Sequence, residues 1–183
     1  MKLYQRIPFA AAVMVIAIAL SSVGGMMKTV ITERHKVEDA FVLGCSGDGN
    51  SIQSDLGEII NYTHNFRGIA VKYLGSDHSL ISDMTEKAEE LSNADSVSEK
   101  AAALDSLYLT VSEVWRMLQD SSELSETDIK SCKIAFYDID DRCNKISHDG
   151  YNALANEYNK MLDGFPVTLL KVFGFAEPAE LFD

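Results

Sequence analysis

The sequence is short of the features from which a disulfide scaffold or a hydrolytic site would be read. Its three cysteines, Cys45, Cys132 and Cys143, are an odd number, which suits a reducing compartment better than a disulfide framework. Three prolines in 183 residues leave long stretches unpunctuated. No window alternates Val, Ile or Thr with polar residues between hairpin turns, so strands are expected to be absent or minor. There is no G-x-S-x-G, no H-E-x-x-H and no phosphate-cradling glycine loop, and the four histidines are scattered. Basic residues are scarce as well: 16 Lys and Arg stand against 28 Asp and Glu, a net charge of −12. That balance argues against nucleic acid or an anionic surface as the main partner.

One stretch has no charge at all. Ile7 to Met27 reads IPFAAAVMVIAIALSSVGGMM, and a helix of that length reaches about 31 Å, one bilayer core. Lys2 and Arg6 precede it, and Lys28, Arg34 and Lys36 follow. The chain is therefore expected to comprise a short basic N-terminus (1–6), a single transmembrane anchor (7–27) and a helical bundle domain (28–183). A cleaved signal peptide ending near Ala17-Ile18-Ala19 is the rival reading, giving a secreted helical domain; the run continues past it through Leu20, Val23 and Met27. Two basic residues before the run and three after it lean toward a cytoplasmic bundle.

Beyond residue 28 the pattern is helical. Thr29 to Leu43 continues the anchor helix, and Gly44 to Asn50 is a turn. Ile52, Leu56, Ile59, Thr63, Phe66 and Ala70 keep helical spacing, as do Ala101, Leu104, Tyr108, Val111, Trp115 and Leu118. Further helices are expected over 80–91, 127–146 (capped by Ser125) and 151–163 (capped by Asp149), with a short apolar turn or helix over 167–173. Gly57 and Gly68 are expected to weaken the second helix by about 1 kcal/mol each relative to Ala; a glycine on the packing face would let a neighbouring helix approach closely. The fold class is all-α: a bundle of about four main helices, antiparallel and coiled-coil-like in packing, behind one N-terminal membrane helix.

The last quarter carries Tyr151-Asn152 and, seven residues on, Tyr158-Asn159, then Phe165-Pro166, Leu169-Leu170, Gly174-Phe175 and Phe182. In order and spacing this resembles the bacterial LemA family, with its paired YN motifs, its F-P and its G-F followed by an aromatic. Val37, Ala40 and Phe41 resemble the family's V-x-x-A-aromatic start. The usual apolar-Pro-Asn-Leu-Val stretch is replaced by Gly57-Glu58-Ile59-Ile60-Asn61, as in a divergent member. The resemblance implies a membrane-anchored antiparallel bundle, a short N-terminus facing outward and no established activity. The residues it singles out are Tyr151, Asn152, Tyr158, Asn159, Phe165, Pro166, Leu170, Gly174 and Phe175. A seven-residue step turns a helix by about 700°, so the tyrosines share one face and the asparagines line up beside them. Buried rings with partnered hydroxyls, and amides that satisfy helix ends or bridge helices, are the expected roles.

Other clusters favour bland readings. Asp138-Ile139-Asp140-Asp141 reads as a solvated helix face rather than a metal site. Gly47-Asp48-Gly49-Asn50 starts like a calcium loop but has Ile59 where the glutamate belongs. Cys132, Cys143 and His148 lack zinc-ligand spacing. No catalytic residue, metal ligand or cofactor is therefore assigned. The expected function is a non-catalytic interaction or scaffold module at the cell membrane, bound to the bilayer through residues 7–27 and to a protein partner, and able to form homo-oligomers. The alternatives are a ligand- or metal-sensing domain signalling through the anchor helix and, less well motivated, a membrane hydrolase. The apolar segment 167–175 could pack on the bundle or lie at the bilayer interface.

Overall fold

The computed structural model describes residues 6–45, 51–121 and 124–183, without the side chains of 6–9, 16, 19 and 20. Among the described residues the chain forms seven helices and no strand: α1 (Arg6–Leu43), α2 (Ile52–Leu74), α3 (Ser79–Asn93), α4 (Val97–Gln119), α5 (Glu126–Ser147), α6 (Tyr151–Asp163) and α7 (Thr168–Val172). The calcium-like Gly47–Asn50 stretch lies outside the described residues. Two compact units emerge: residues 1–38 with 156–179, and residues 39–155 with 180–183.

The larger unit is a helical bundle. α2 packs mainly on α5 and α3 on α4, with α2 also against α3. Local chemistry sets the boundaries. The Ser51 hydroxyl accepts from the Ser54 amide at 3.1 Å, and Ser125 accepts from Asp128 at the same distance. Ser96 and Glu99 form a full capping box, each side chain accepting from the other's backbone N–H. α2 ends at Gly75, whose φ of +87° favours glycine. The apolar stripes meet in a core of Ile59, Phe66, Ile81, Met84, Leu107, Val111, Val114 and Ile139. An aromatic run crosses it, Phe66 edge-on to Trp115 and Trp115 stacked on Phe136 at 5.6 Å.

Gly57 and Gly68 do not lie on a packing face. Both are exposed, and a Cβ added at either meets nothing within 4 Å. They carry only the entropic weakness of glycine in a helix, so Gly68→Ala should stabilise the fold by about 0.5–1 kcal/mol, read as a higher urea midpoint.

In the smaller unit the buried side chains include Val30 and Val37 of α1 together with Tyr158, Leu162, Leu170 and Ala176. Upstream the helix is bare: every described side chain from Ala10 to Gly25 is exposed, and burial starts at Met26 and Met27. The Ser22 hydroxyl bonds back to the Ile18 carbonyl at 2.8 Å. Among the described residues no helix is long and apolar enough to cross a membrane. The expected anchor 7–27 depends partly on side chains outside that set, and the described residues do not support it as a membrane span.

Candidate functional site

The two Tyr-Asn pairs come from α6, and both grip the C-terminal tail, residues 176–183, which has no regular secondary structure. In the larger unit the Tyr151 hydroxyl donates to the Glu180 carbonyl at 2.9 Å. Asn152 uses both ends of its amide on Phe182: its Nδ2 donates to the Phe182 carbonyl at 2.9 Å and its Oδ1 accepts from the Phe182 N–H at 2.8 Å. In the smaller unit Tyr158 donates to the Glu177 carbonyl at 3.2 Å. Asn159 closes the same two bonds on Ala179, at 2.9 and 2.8 Å. Each primary amide thus presents the donor and acceptor that a neighbouring strand would present.

The pairing is regular in sequence: a step of seven on α6, from 151 to 158 and from 152 to 159, answers a step of three on the tail, from 180 to 177 and from 182 to 179. The expectation that these amides satisfy helix ends or bridge helices is corrected: their partner is tail backbone. Burial of the tyrosine rings is as expected, with Tyr151 and Tyr158 each about 3% exposed. Burial raises the Tyr158 phenol above its ordinary range, with Arg34 opposing and Glu38 and Glu177 adding to the rise, so it stays a donor at neutral pH.

The groups around Tyr151 fix the start of α6. The Asp149 carboxylate accepts from the Tyr151 amide at 2.7 Å and from the Cys45 thiol at 3.4 Å. Gly150 lies under Cys45, where an added Cβ would sit 3.3 Å from its sulfur. Phe41 packs edge-on against the Tyr151 ring at 5.5 Å and tilted against Phe182 at 6.3 Å.

The remaining motif residues divide. Leu170 is buried, whereas Phe165 and Phe175 are exposed. The Phe165–Pro166 peptide is cis. Gly174, at φ +73°, ends α7 in a Schellman motif: its N–H bonds the Lys171 carbonyl and the Phe175 N–H bonds the Leu170 carbonyl, at 3.0 and 2.8 Å. That is the reason for glycine before phenylalanine here.

Next to the Phe182 end of the tail lies an open cleft of about 460 Å³, lined among others by Leu104, Tyr108, Asp140, Cys143 and Phe182. Asp140 is not simply solvated, as its acidic run suggested: it accepts from the Tyr108 hydroxyl at 2.5 Å. That bond, with burial, pushes the phenol up to about 12. Burial and the charges of Asp140 and Asp105 likewise push the Cys143 thiol up to about 12, and burial pushes Cys132 up to about 11. Neither thiol is a thiolate nucleophile near neutrality. Because folding raises the Tyr108 pKa above its ordinary 10, the folded state holds that proton longer. Stability should be intact below about pH 10 and decline toward about pH 12, and Tyr108→Phe should remove one late-titrating phenol from a 295 nm absorbance titration.

The sequence reading missed a buried ionic group between α2 and α5. Asp55, 3% exposed, accepts from Arg142 Nη1 at 2.7 Å, while Glu58 Oε2 lies 2.5 Å from Nη2 without hydrogen-bond alignment. Asp55 sits between Ile52, Leu56 and Ile59 on the apolar stripe, and a charge there is the signal that a partner is buried with it. Among the described residues no three His, Cys, Asp or Glu side chains are grouped to hold a metal ion; Cys132, Cys143 and His148 do not form such a group. No family model, curated protein or solved structure matches the chain.

Proposed function

We propose that this chain is a single-pass membrane protein in which α1 anchors a helical bundle, and that the bundle works as a non-catalytic interaction or scaffold module for a protein partner at the membrane. The observation that carries this reading is the bare, uncharged part of α1. Val13, Met14, Val15, Ile18 and Val23 are all exposed, a combination that is costly in water and favourable in lipid. The internal bond of the Ser22 hydroxyl suits the same setting, where a free hydroxyl would have no water. The balance of basic residues favours a cytoplasmic bundle.

The likeness to the LemA family belongs to this proposal, resting on the order of the motifs. In this chain the YN pairs hydrogen-bond the backbone of the tail, a structural task. Residues 39–183 carry the acidic surface, which disfavours nucleic acid and suits a basic or apolar protein surface. The test is crosslinking in intact membranes followed by purification, with an α1-only fusion as control. Partners recovered with the full chain and missing from the control support the module; the same protein set in both overturns it.

A further inference from the structure

The smaller unit has a second bare apolar surface, at residues 165–175. Phe165 is 84% exposed, Val172 74%, Phe173 69% and Phe175 65%, with Leu169 half out, while Leu170 alone turns inward to hold the segment in place. Five large apolar side chains within eleven residues exceed what scattered surface hydrophobes require. The charge is unusual too. In a chain with 28 acidic residues, the stretch from Gly164 to Ala176 contains none, and its one ionic group is Lys171.

We propose that this surface is a second membrane contact, seated in the interfacial layer of the bilayer that holds α1. The inference rests on the reading of α1 as a lipid-borne anchor. Two observations favour lipid over a protein occupant. First, α1 and residues 165–175 belong to the same compact unit, and Arg34 of α1 and Tyr158 of α6 lie close enough to feel each other's charge. α1 is exposed upstream of Met26, which lies eight residues, about 12 Å of helix, before Arg34; the aromatic surface begins at Phe165, seven residues past Tyr158 and just beyond the end of α6. Second, exposed Phe rings flanked by aliphatic side chains match the chemistry of the headgroup boundary, where Phe inserts its ring; Lys171, the one cation of the stretch, is held by the Asp163 carboxylate at 2.6 Å. The Schellman turn at Gly174 closes α7, and Phe173 and Phe175 on either side of it stay exposed.

Hydroxyl-radical footprinting of the full chain in phosphatidylcholine–phosphatidylglycerol vesicles tests this without any substitution. Tyr137 of α5, itself exposed, serves as the internal standard. The expected result is loss of oxidation at Phe165, Phe173 and Phe175 while Tyr137 reacts at its normal rate, unchanged when lipid is added to dilute the protein in the membrane. Oxidation of the three rings at the rate of Tyr137 overturns the second contact alone, provided the chain floats with the vesicles. Protection that disappears on lipid dilution also overturns it, pointing to a second copy of the chain as the occupant. A chain that fails to float overturns the anchor reading as well. As a further check, the double variant Phe173→Ser/Phe175→Ser should still float but expose Phe165 to oxidation; continued protection of Phe165 there counts against a lipid-seated patch.

Discussion

Arg142→Met should destabilise the bundle by about 3–5 kcal/mol in urea unfolding, the largest single effect expected in this chain, because it strands the Asp55 carboxylate in the core. The Asp55 side chain is 5% and that of Arg142 18% exposed, so water can replace little of what the guanidinium provides. Glu58, though its side chain is 40% exposed, sets a buried Oε2 at 2.5 Å from Nη2, so its charge acts on the same guanidinium as that of Asp55. The double variant Asp55→Leu/Arg142→Met separates two meanings of that loss. Removing both charges removes the desolvation penalty, and the double variant should recover most of the stability lost by the single one. Equal losses in the single and double variants would mean that the pair is worth its full measured effect, and that burial of the lone charge is not the cause.

Loss of the amide clamps should free the tail while the bundle stays folded. Each asparagine closes two neutral hydrogen bonds at about 1 kcal/mol net apiece, so Asn152→Ala or Asn159→Ala should weaken its clamp by about 2 kcal/mol. Hydrogen exchange is the readout, since the Ala179 and Phe182 amides are the two tail donors that the asparagines accept from. Exchange at Phe182 in Asn152→Ala, and at Ala179 in Asn159→Ala, should accelerate by about 30-fold, with core amides near Phe66 and Ile139 unchanged. Asn152→Asp keeps an acceptor for the Phe182 N–H but sets a carboxylate against the Phe182 carbonyl, so its effect should fall short of alanine's at the N–H. Faster exchange throughout the bundle would instead make the clamps part of the global fold.

These cases show where the sequence is readable and where it stops. The bundle follows from spacing: Ile52, Leu56, Ile59, Thr63, Phe66 and Ala70 recur at helical intervals and are buried together. Helix ends follow from capping chemistry, as at Ser51, Ser125 and Asp149, where a side-chain oxygen takes an orphan amide within three residues. Partners far along the chain are not periodic and cannot be found that way. Asp55 reaches Arg142 across 87 positions, and its place within the stripe announces a buried charge without naming the second one. The asparagines advertise a donor and an acceptor, but the tail they hold has no helical or strand pattern to mark it as their target. Gly57 and Gly68 could serve close packing or merely weaken their helix; spacing alone does not choose between these, and in the fold both face open space.

The measurement closest to the centre of the account is alkaline-carbonate extraction of cell membranes with intact-mass analysis of the chain. The account predicts that the full 183-residue polypeptide stays in the membrane pellet, Ile7 to Met27 included. A chain released into the supernatant, or one whose mass shows that segment removed, would contradict it.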